Sequence, residues 1–440
     1  MKEYFERISF FVSSIVDSSC GFNINFSAEQ TKYARFNQGL FRQQGHIDQF
    51  YLTLDLFREQ KRLQATVGLS WEWPSDQRVL RDIVQELEAK IDIAPIDLFF
   101  SSSTPSEGSE VGPSHHQLFD KRNIMSDIIE ASRGQDLVGI FMGGGIYRGF
   151  SSSSGQFSWY STSNLNFDWS LYSQGDKAVK QRYSAEDWNS NDFRRIIERG
   201  IAEKEILNRK SVSVEPGKHR VYIAPMAMEE ILWILSDTSF GVKNLKVEAS
   251  ALGKLHKRLA ELSPKITIVE NNSRRASPQF DDQGIQKPEK ITLVKEGKAK
   301  DLLVSSRSAL EYGLTSNAAN KLEMPESLEL LPGTLETKDI LNQLGDGIVI
   351  NNLWYLNYSD LREGRLTGMT RFACFLVKNS EIIAPINVMR FDDSIYSMLG
   401  SKLEDLSADR QLLLDCSSYE QRSTDSRLLP GALISELNLV

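Results

Sequence analysis

At 440 residues the chain is too long for one ordinary core, and its 40% apolar and 25% charged side chains suit a globular protein of two or three domains. A formal net charge of -8, from 59 acidic against 51 basic residues, has the wrong sign for a protein that grips nucleic acid by neutralising phosphates. Three widely spaced cysteines, Cys20, Cys374 and Cys416, argue against a disulfide framework, and no apolar run approaches the roughly 18 residues of a membrane span, so a cytoplasmic location is expected.

Phe5, Ile8, Val12 and Ile15 recur at helical spacing and predict a first helix, and the acids Glu3 and Glu6 stand where a signal peptide needs positive charge. From Gly21 to Ser70 the period changes to two. Phe50, Leu52, Leu54 and Leu56 alternate with Tyr51, Thr53, Asp55 and Phe57, which predicts long antiparallel hairpins broken at Asn37-Gln38-Gly39 and at Gln44-Gly45. A helix over Asp76–Lys90, capped by Ser75 or Asp76, comes next, then a Ser/Pro/Gly loop over 101–114 and a helix near Ile124–Ser132. A meander follows, with strands over 136–141, 147–150, 156–163 and 164–172. Its Trp159, Tyr160, Phe167 and Trp169 predict a broad aromatic surface that the chain alone would leave open. A charged helix from Asp192 to about Arg209 ends this half. Beyond a boundary at 214/215, Val221–Ile223 reads as a strand and Pro225 as the start of a helix through Ile231–Leu235. After a polar stretch over 271–289, strands are expected at 291–294, 348–353, 373–377 and 382–386. The expectation is an α+β chain with domains 1–214 and 215–440.

Gly143-Gly144-Gly145 follows a short apolar run, but position 148 is Arg148 and no helix pattern opens there, so a tight turn is expected and not a nucleotide loop. The five histidines are His46, His115, His116, His219 and His256, and no two lie a helical turn apart beside a glutamate, as a zinc hydrolase helix requires. A Gly-x-Ser-x-Gly elbow is absent, and Cys374 and Cys416 read as small buried hydrophobes. The basic runs Lys295, Lys298, Lys300 and Arg274-Arg275 sit in polar surroundings and read as solvated faces.

Several segments together resemble the TldD/TldE (PmbA) peptidase family. They are Ile291–Lys298, Asp301–Ser306 with Ala309, Asp346–Ile350, Leu376–Ile382 with Pro385, Leu428–Ile434 through Leu437, and in the first half Tyr33–Gln38. The resemblance implies an N-terminal α/β region with a long curved antiparallel sheet and a β-rich C-terminal domain. It also implies a division of labour: a TldD-type subunit carries His-Glu-x-x-x-His on a helix with a distant zinc-binding Cys, and a TldE-type subunit lacks the metal and pairs with it to cleave peptides. Carried onto this chain, the motif falls on Trp233, Ile234 and Thr238, with Cys416 near the Cys position but followed by Ser417-Ser418. No His lies between 220 and 255.

The resemblance therefore implies a TldE-type subunit with no catalytic residue, metal or cofactor of its own, with zinc on a TldD-type partner and a peptide as substrate. Trp233 and Ile234 are expected to pack the helix into the core where metal and water would sit. Substrate contacts are expected at Asn352, Trp354, Thr370 and Arg371, beside the family-like strands, with an exposed edge of the C-terminal sheet as the natural place for strand addition. Two other readings remain: a stand-alone regulatory or protein-binding module of the gyrase-modulator type, possibly homodimeric, and a hydrolase of unrecognised chemistry.

Overall fold

The computed structural model describes residues 1–100, 108–112, 121–417 and 420–440, and its strands form one sheet of seven and one of eleven. The first half opens with α1 (Lys2–Ile15), where Phe5, Ile8 and Val12 are buried as the spacing predicts, together with Phe11, while Ile15 is half-buried. Then β1 (Gly21–Asn37), β2 (Leu40–Arg58) and β3 (Lys61–Gly68) pair as successive antiparallel hairpins. α2 (Trp73–Lys90) has Pro74 in its first turn, where a missing N–H costs nothing. Its N-cap is Glu72, ahead of the predicted Ser75 or Asp76; the Asp76 carboxylate instead accepts the N–H groups of Ser70 and Trp71. α1 and α2 share one core with β1 and β2. β4 (Glu110–Val111), α3 (Lys121–Ala131), β5 (Asp136–Ser152), β6 (Phe157–Tyr172) and β7 (Ala178–Ala185) follow, giving the sheet order β3-β2-β1-β5-β6, with β4 and β7 both on β6. α4 (Ser190–Leu207) is capped by Asn189, whose side chain accepts from the N–H groups of Asn191 and Asp192.

Three strand expectations need correction. Gly143–Gly145 make no turn: β5 runs straight through them, pairing with β1 and β6 on either side. A side chain at Gly144 would collide with the carbonyl oxygen of Gln30, so the glycine allows close backbone approach. Gln44-Gly45 likewise breaks nothing, because the Tyr33 ring of the opposing strand covers Gly45. The predicted strands 156–163 and 164–172 are the single β6.

The aromatic surface is also closed by the chain itself. Phe167 and Trp169 lie in one core with Phe193 and Ile197 of α4, Ile124 and Ile128 of α3, and Phe375 from the second half. Trp159 packs beside Phe5, and the buried Tyr160 donates its hydroxyl to Ala276 O at 2.6 Å.

The second half begins with β8 (Gly217–Ile223) and α5 (Pro225–Thr238), with Pro225 at the helix start as read from sequence. Short α6 (Val242–Lys246) and α7 (Gly253–His256) lead to β9 (Ile268–Asn271), β10 (Lys290–Lys295) and β11 (Lys298–Ala299). α8 (Ser306–Tyr312), β12 (Ser327–Leu330) and α9 (Ile340–Leu344) precede the hairpin of β13 (Gly347–Asp360) and β14 (Arg365–Lys378). β15 (Glu381–Pro385), β16 (Arg390–Ser394), β17 (Leu403–Leu414) and β18 (Ser426–Leu439) complete the sheet. Its pairings close on themselves: β8 bonds β13, β13 bonds β14, β14 bonds β16, β16 bonds β18, and β18 returns to β8. A closed circuit leaves those five strands without a free edge. α5 packs on β13 and β18 and buries Ala227, Met228, Ile231, Leu232, Ile234 and Leu235 in the largest core. No described helix is long and apolar enough to cross a membrane.

Candidate functional site

The structure scatters the four positions aligned with the metal motif. Trp233 does not fill the core: it is 53% exposed, on the side of α5 turned away from the buried stripe. Ile234 is in the core as expected. Thr238 exchanges a hydrogen bond of 2.7 Å with the hydroxyl of Tyr358, which also donates to Ile234 O at 3.0 Å. An indole, an alkyl group and a committed hydroxyl are no zinc donor set, so these residues do not fit the metal. Among the described residues no group of three or more His, Cys, Asp or Glu could hold a metal ion. His115 and His116 lie outside the described residues.

What stands at this helix is a buried ionic lattice that the sequence reading missed. Arg182 of β7 donates through Nη1 to both carboxylate oxygens of Glu229 on α5, each at 2.8 Å, and through Nε to Asp168 of β6 at 3.2 Å. Its Nη2 lies 3.1 Å from Cys416 Sγ, and Arg427 approaches Glu229 at 3.8 Å. Arg182 and Glu229 are 6% and 8% exposed. Burial works against the guanidinium charge, but Glu229, Cys416 and Asp168 outweigh it and hold Arg182 above its ordinary value. Burial also pushes the Cys416 thiol up, with Arg182 a partial offset. The neighbouring Glu230 is raised by burial and then by Glu229. No local pattern announces this lattice, because Arg182 and Glu229 lie 47 residues apart, on β7 of the first sheet and on α5 packed against the second.

Beside the lattice runs a groove between α4, β7 and β17, made of two adjoining cavities of about 400 and 560 Å³. Five cations line it: Lys180, Arg182, Arg195, Arg199 and Arg410. Its acids are Asp192, Glu203 and Asp409. Tyr222 lines the first cavity, its phenol pushed up to about 12 by burial.

The predicted substrate residues meet on the β13–β14 hairpin, where Asn352 pairs with Arg371 and Leu353 with Thr370 across a bulged register. Two of the four are inaccessible. Thr370 is 1% exposed and holds the backbone of Met389 through its hydroxyl. Asn352 is buried, with no partner for Oδ1 among the described residues. Trp354 is exposed, and the Arg371 guanidinium stacks 5.0 Å from its ring. The reading missed Tyr355, 73% exposed with φ of 57°, and Phe372 with φ of 59°. Bulky residues seldom adopt this left-handed backbone, and such strain gathers at binding sites.

Fold and sequence together define a class, a two-sheet α+β chain. Residues 216–440 match the family described as the PmbA/TldA metallopeptidase C-terminal domain, and the chain belongs to the PmbA/TldD family. A comparison with curated proteins finds no match. Among solved structures it is similar to a candidate modulator of a DNA gyrase from Thermotoga maritima, with a TM-score of 0.78 over 100% of both chains. It is also similar to TldE from Thermococcus kodakarensis, at 0.77 over 99% of both, and to a candidate modulator of DNA gyrase from Bacteroides thetaiotaomicron, at 0.70 over 100% of this chain and 98% of that one. Each is 14% identical, so these three speak for the fold alone.

Proposed function

We propose that this chain is the TldE-type, non-catalytic subunit of a heterodimeric zinc metallopeptidase that cleaves peptides in the cytoplasm, with zinc on a TldD-type partner. The observation that carries the reading is α5. At the positions where the family's active subunit would bear its metal-binding motif, the helix has Trp233, Ile234 and Thr238, and the nearby Cys416 is drawn to Arg182. A supporting subunit would complete a chamber and hold substrate, and the accessible part of the hairpin, Trp354 and Arg371, is suited to that.

The test mixes the purified chain with a family member bearing His-Glu-x-x-x-His. Alone, this chain is expected to carry no stoichiometric zinc and to leave peptides intact. Mixed, the two are expected to co-elute as a dimer with an interface on the order of 2,000 Å² or more. Separate elution at micromolar concentration, or about one zinc per chain on this subunit alone, defeats the reading. A second reading, a stand-alone regulatory module, is favoured by the two similar structures described as candidate gyrase modulators. The net charge of -8 directs it to a protein partner and away from DNA.

A further inference from the structure

We propose that the groove between α4, β7 and β17 binds the acidic side chains of an extended polypeptide, with Lys180 and Arg199 as the cations that receive its carboxylates. The first observation is a contrast of sign. The chain as a whole carries -8, yet the groove presents five cations against three acids. A cleft with low-dielectric walls focuses such a field and raises the local concentration of the opposite charge.

The second observation is which cations are spoken for. Arg182 is consumed by Glu229 and Asp168, Arg195 pairs with Asp192, and Arg410 reaches Glu329 at 3.1 Å. Lys180 and Arg199, which line the first cavity, have only longer-range charge partners: the Arg199 guanidinium acts on Glu203 and the Lys180 ammonium on Glu230, neither at salt-bridge distance. Arg199 also lines the second, so it stands where the two cavities join. It is exposed on α4, while Lys180 is half-buried on β7. A guanidinium free to offer two parallel N–H donors is a natural carboxylate receptor.

The shape favours a chain over a small anion. Two adjoining cavities run past Lys180–Ser184 of β7 on one wall and Asp409–Leu412 of β17 on the other. Ser407, Thr337, Asn351 and Gln411 also line the first cavity. The inference deepens the subunit reading by naming the substrate's character, and it rests on that reading for the role of the bound peptide.

Fluorescence anisotropy on the full chain tests it, with three labelled peptides of equal length carrying alternating Glu, Gln or Lys. The Glu peptide is expected to bind at least tenfold more tightly than the other two and to weaken at least fivefold between 50 and 300 mM salt. Arg199→Glu with Lys180→Gln is expected to lose tenfold or more. Arg199→Glu alone, which also sets a second acid one turn from Glu203, is expected to lose several-fold, with circular dichroism confirming that the variant is folded. Equal binding of Glu and Gln peptides, or affinity within twofold after Arg199→Glu, overturns the proposal. So does inorganic phosphate that displaces the peptide at equal concentration, because that marks a simple anion site. The outcome is separable from the subunit reading: a heterodimer that forms while the Glu peptide goes unbound defeats the groove alone, and the reverse defeats the partnership alone.

Discussion

The lattice around Arg182 and the hairpin around Trp354 are both flanked by family-like sequence, yet they handle their polar and aromatic groups in opposite ways. At the lattice, every strong group is answered from within: a guanidinium meets two carboxylates and a thiol, all at least half-buried. At the hairpin, the Trp354 indole and the Tyr355 phenol are exposed, Tyr355 on left-handed backbone, with Arg371 laid across the indole. A site that answers its own charges stabilises the fold and has little left for a ligand. A site that leaves strain and aromatic surface open has kept its capacity to bind. In this chain α5 is tied into the fold through Glu229, and the exposed aromatic surface lies on the β13–β14 hairpin.

The largest expected effect breaks the lattice. Arg182→Ala would leave Glu229 and Asp168 facing an unmet buried charge and should cost about 3–5 kcal/mol in denaturant unfolding. Removing both charges together, as Arg182→Met with Glu229→Leu, should cost far less than that single change. If Arg182→Ala unfolds like the parent, the lattice is not what binds β7 to α5.

Next comes an attempt to convert α5. Trp233→His with Ile234→Glu and Thr238→His should lose several kcal/mol, nearly all of it from placing an unpartnered carboxylate at the buried position 234 and from losing the Tyr358 hydrogen bond. Trp233→His alone should stay within about 0.5 kcal/mol, because the indole is exposed. A triple variant that melts like the parent and gains a clear shift with zinc would show that a metal pocket persists beneath these residues.

A smaller effect sharpens the contrast by pH. Glu270 is held at about 7 by burial and then by Glu326, Asp281 at about 7 by burial and then by Asp282, and Asp425 at about 7 by burial and then by Glu326. These folded-state values lie above the ordinary carboxyl range near 4, so folding favours the protonated forms. Their contribution is whole below about pH 4, falls as pH rises, and is lost above about 7. The chain should melt at a higher temperature at pH 5 than at pH 8, and Glu270→Gln should flatten that difference. A melting temperature that rises from pH 5 to 8 would contradict the assignment.

Local chemistry was readable where it is decided locally. The Pro225 helix start, the stripe of α1 and the alternation around Leu52–Leu56 follow from steric fit and period, and the structure has each of them. Strand length was not readable, because glycine has two meanings. At Gly144 and Gly45 it permits close approach from a neighbouring strand, and the neighbour is invisible in a single segment. The exposure of Trp233 was misjudged because the apolar residues on both sides of it suggested a helix buried all round. The neighbours Leu232 and Ile234 point inward, and one step of 100° separates each from the solvent side. Arg422 was missed for the same reason as Arg182. It enters the first sheet from the loop between β17 and β18, bonds Asn164 and the carbonyl of Gly144, and is pushed down to about 10 by burial. Its partners lie more than 250 residues away.

The ring of five strands imposes an order of events on synthesis. The first sheet is made from residues 21–185, and its hairpins β1–β2 and β5–β6 join neighbours in sequence, so they can pair as they emerge from the ribosome. The ring cannot. β8 waits with one side bonded to β13 and the other open until β18 arrives some two hundred residues later. Until then α5 has only part of the surface that buries Ile231 and Leu235. Loop closure over such a distance is slow. The rate-limiting step of folding should therefore be the docking of β18.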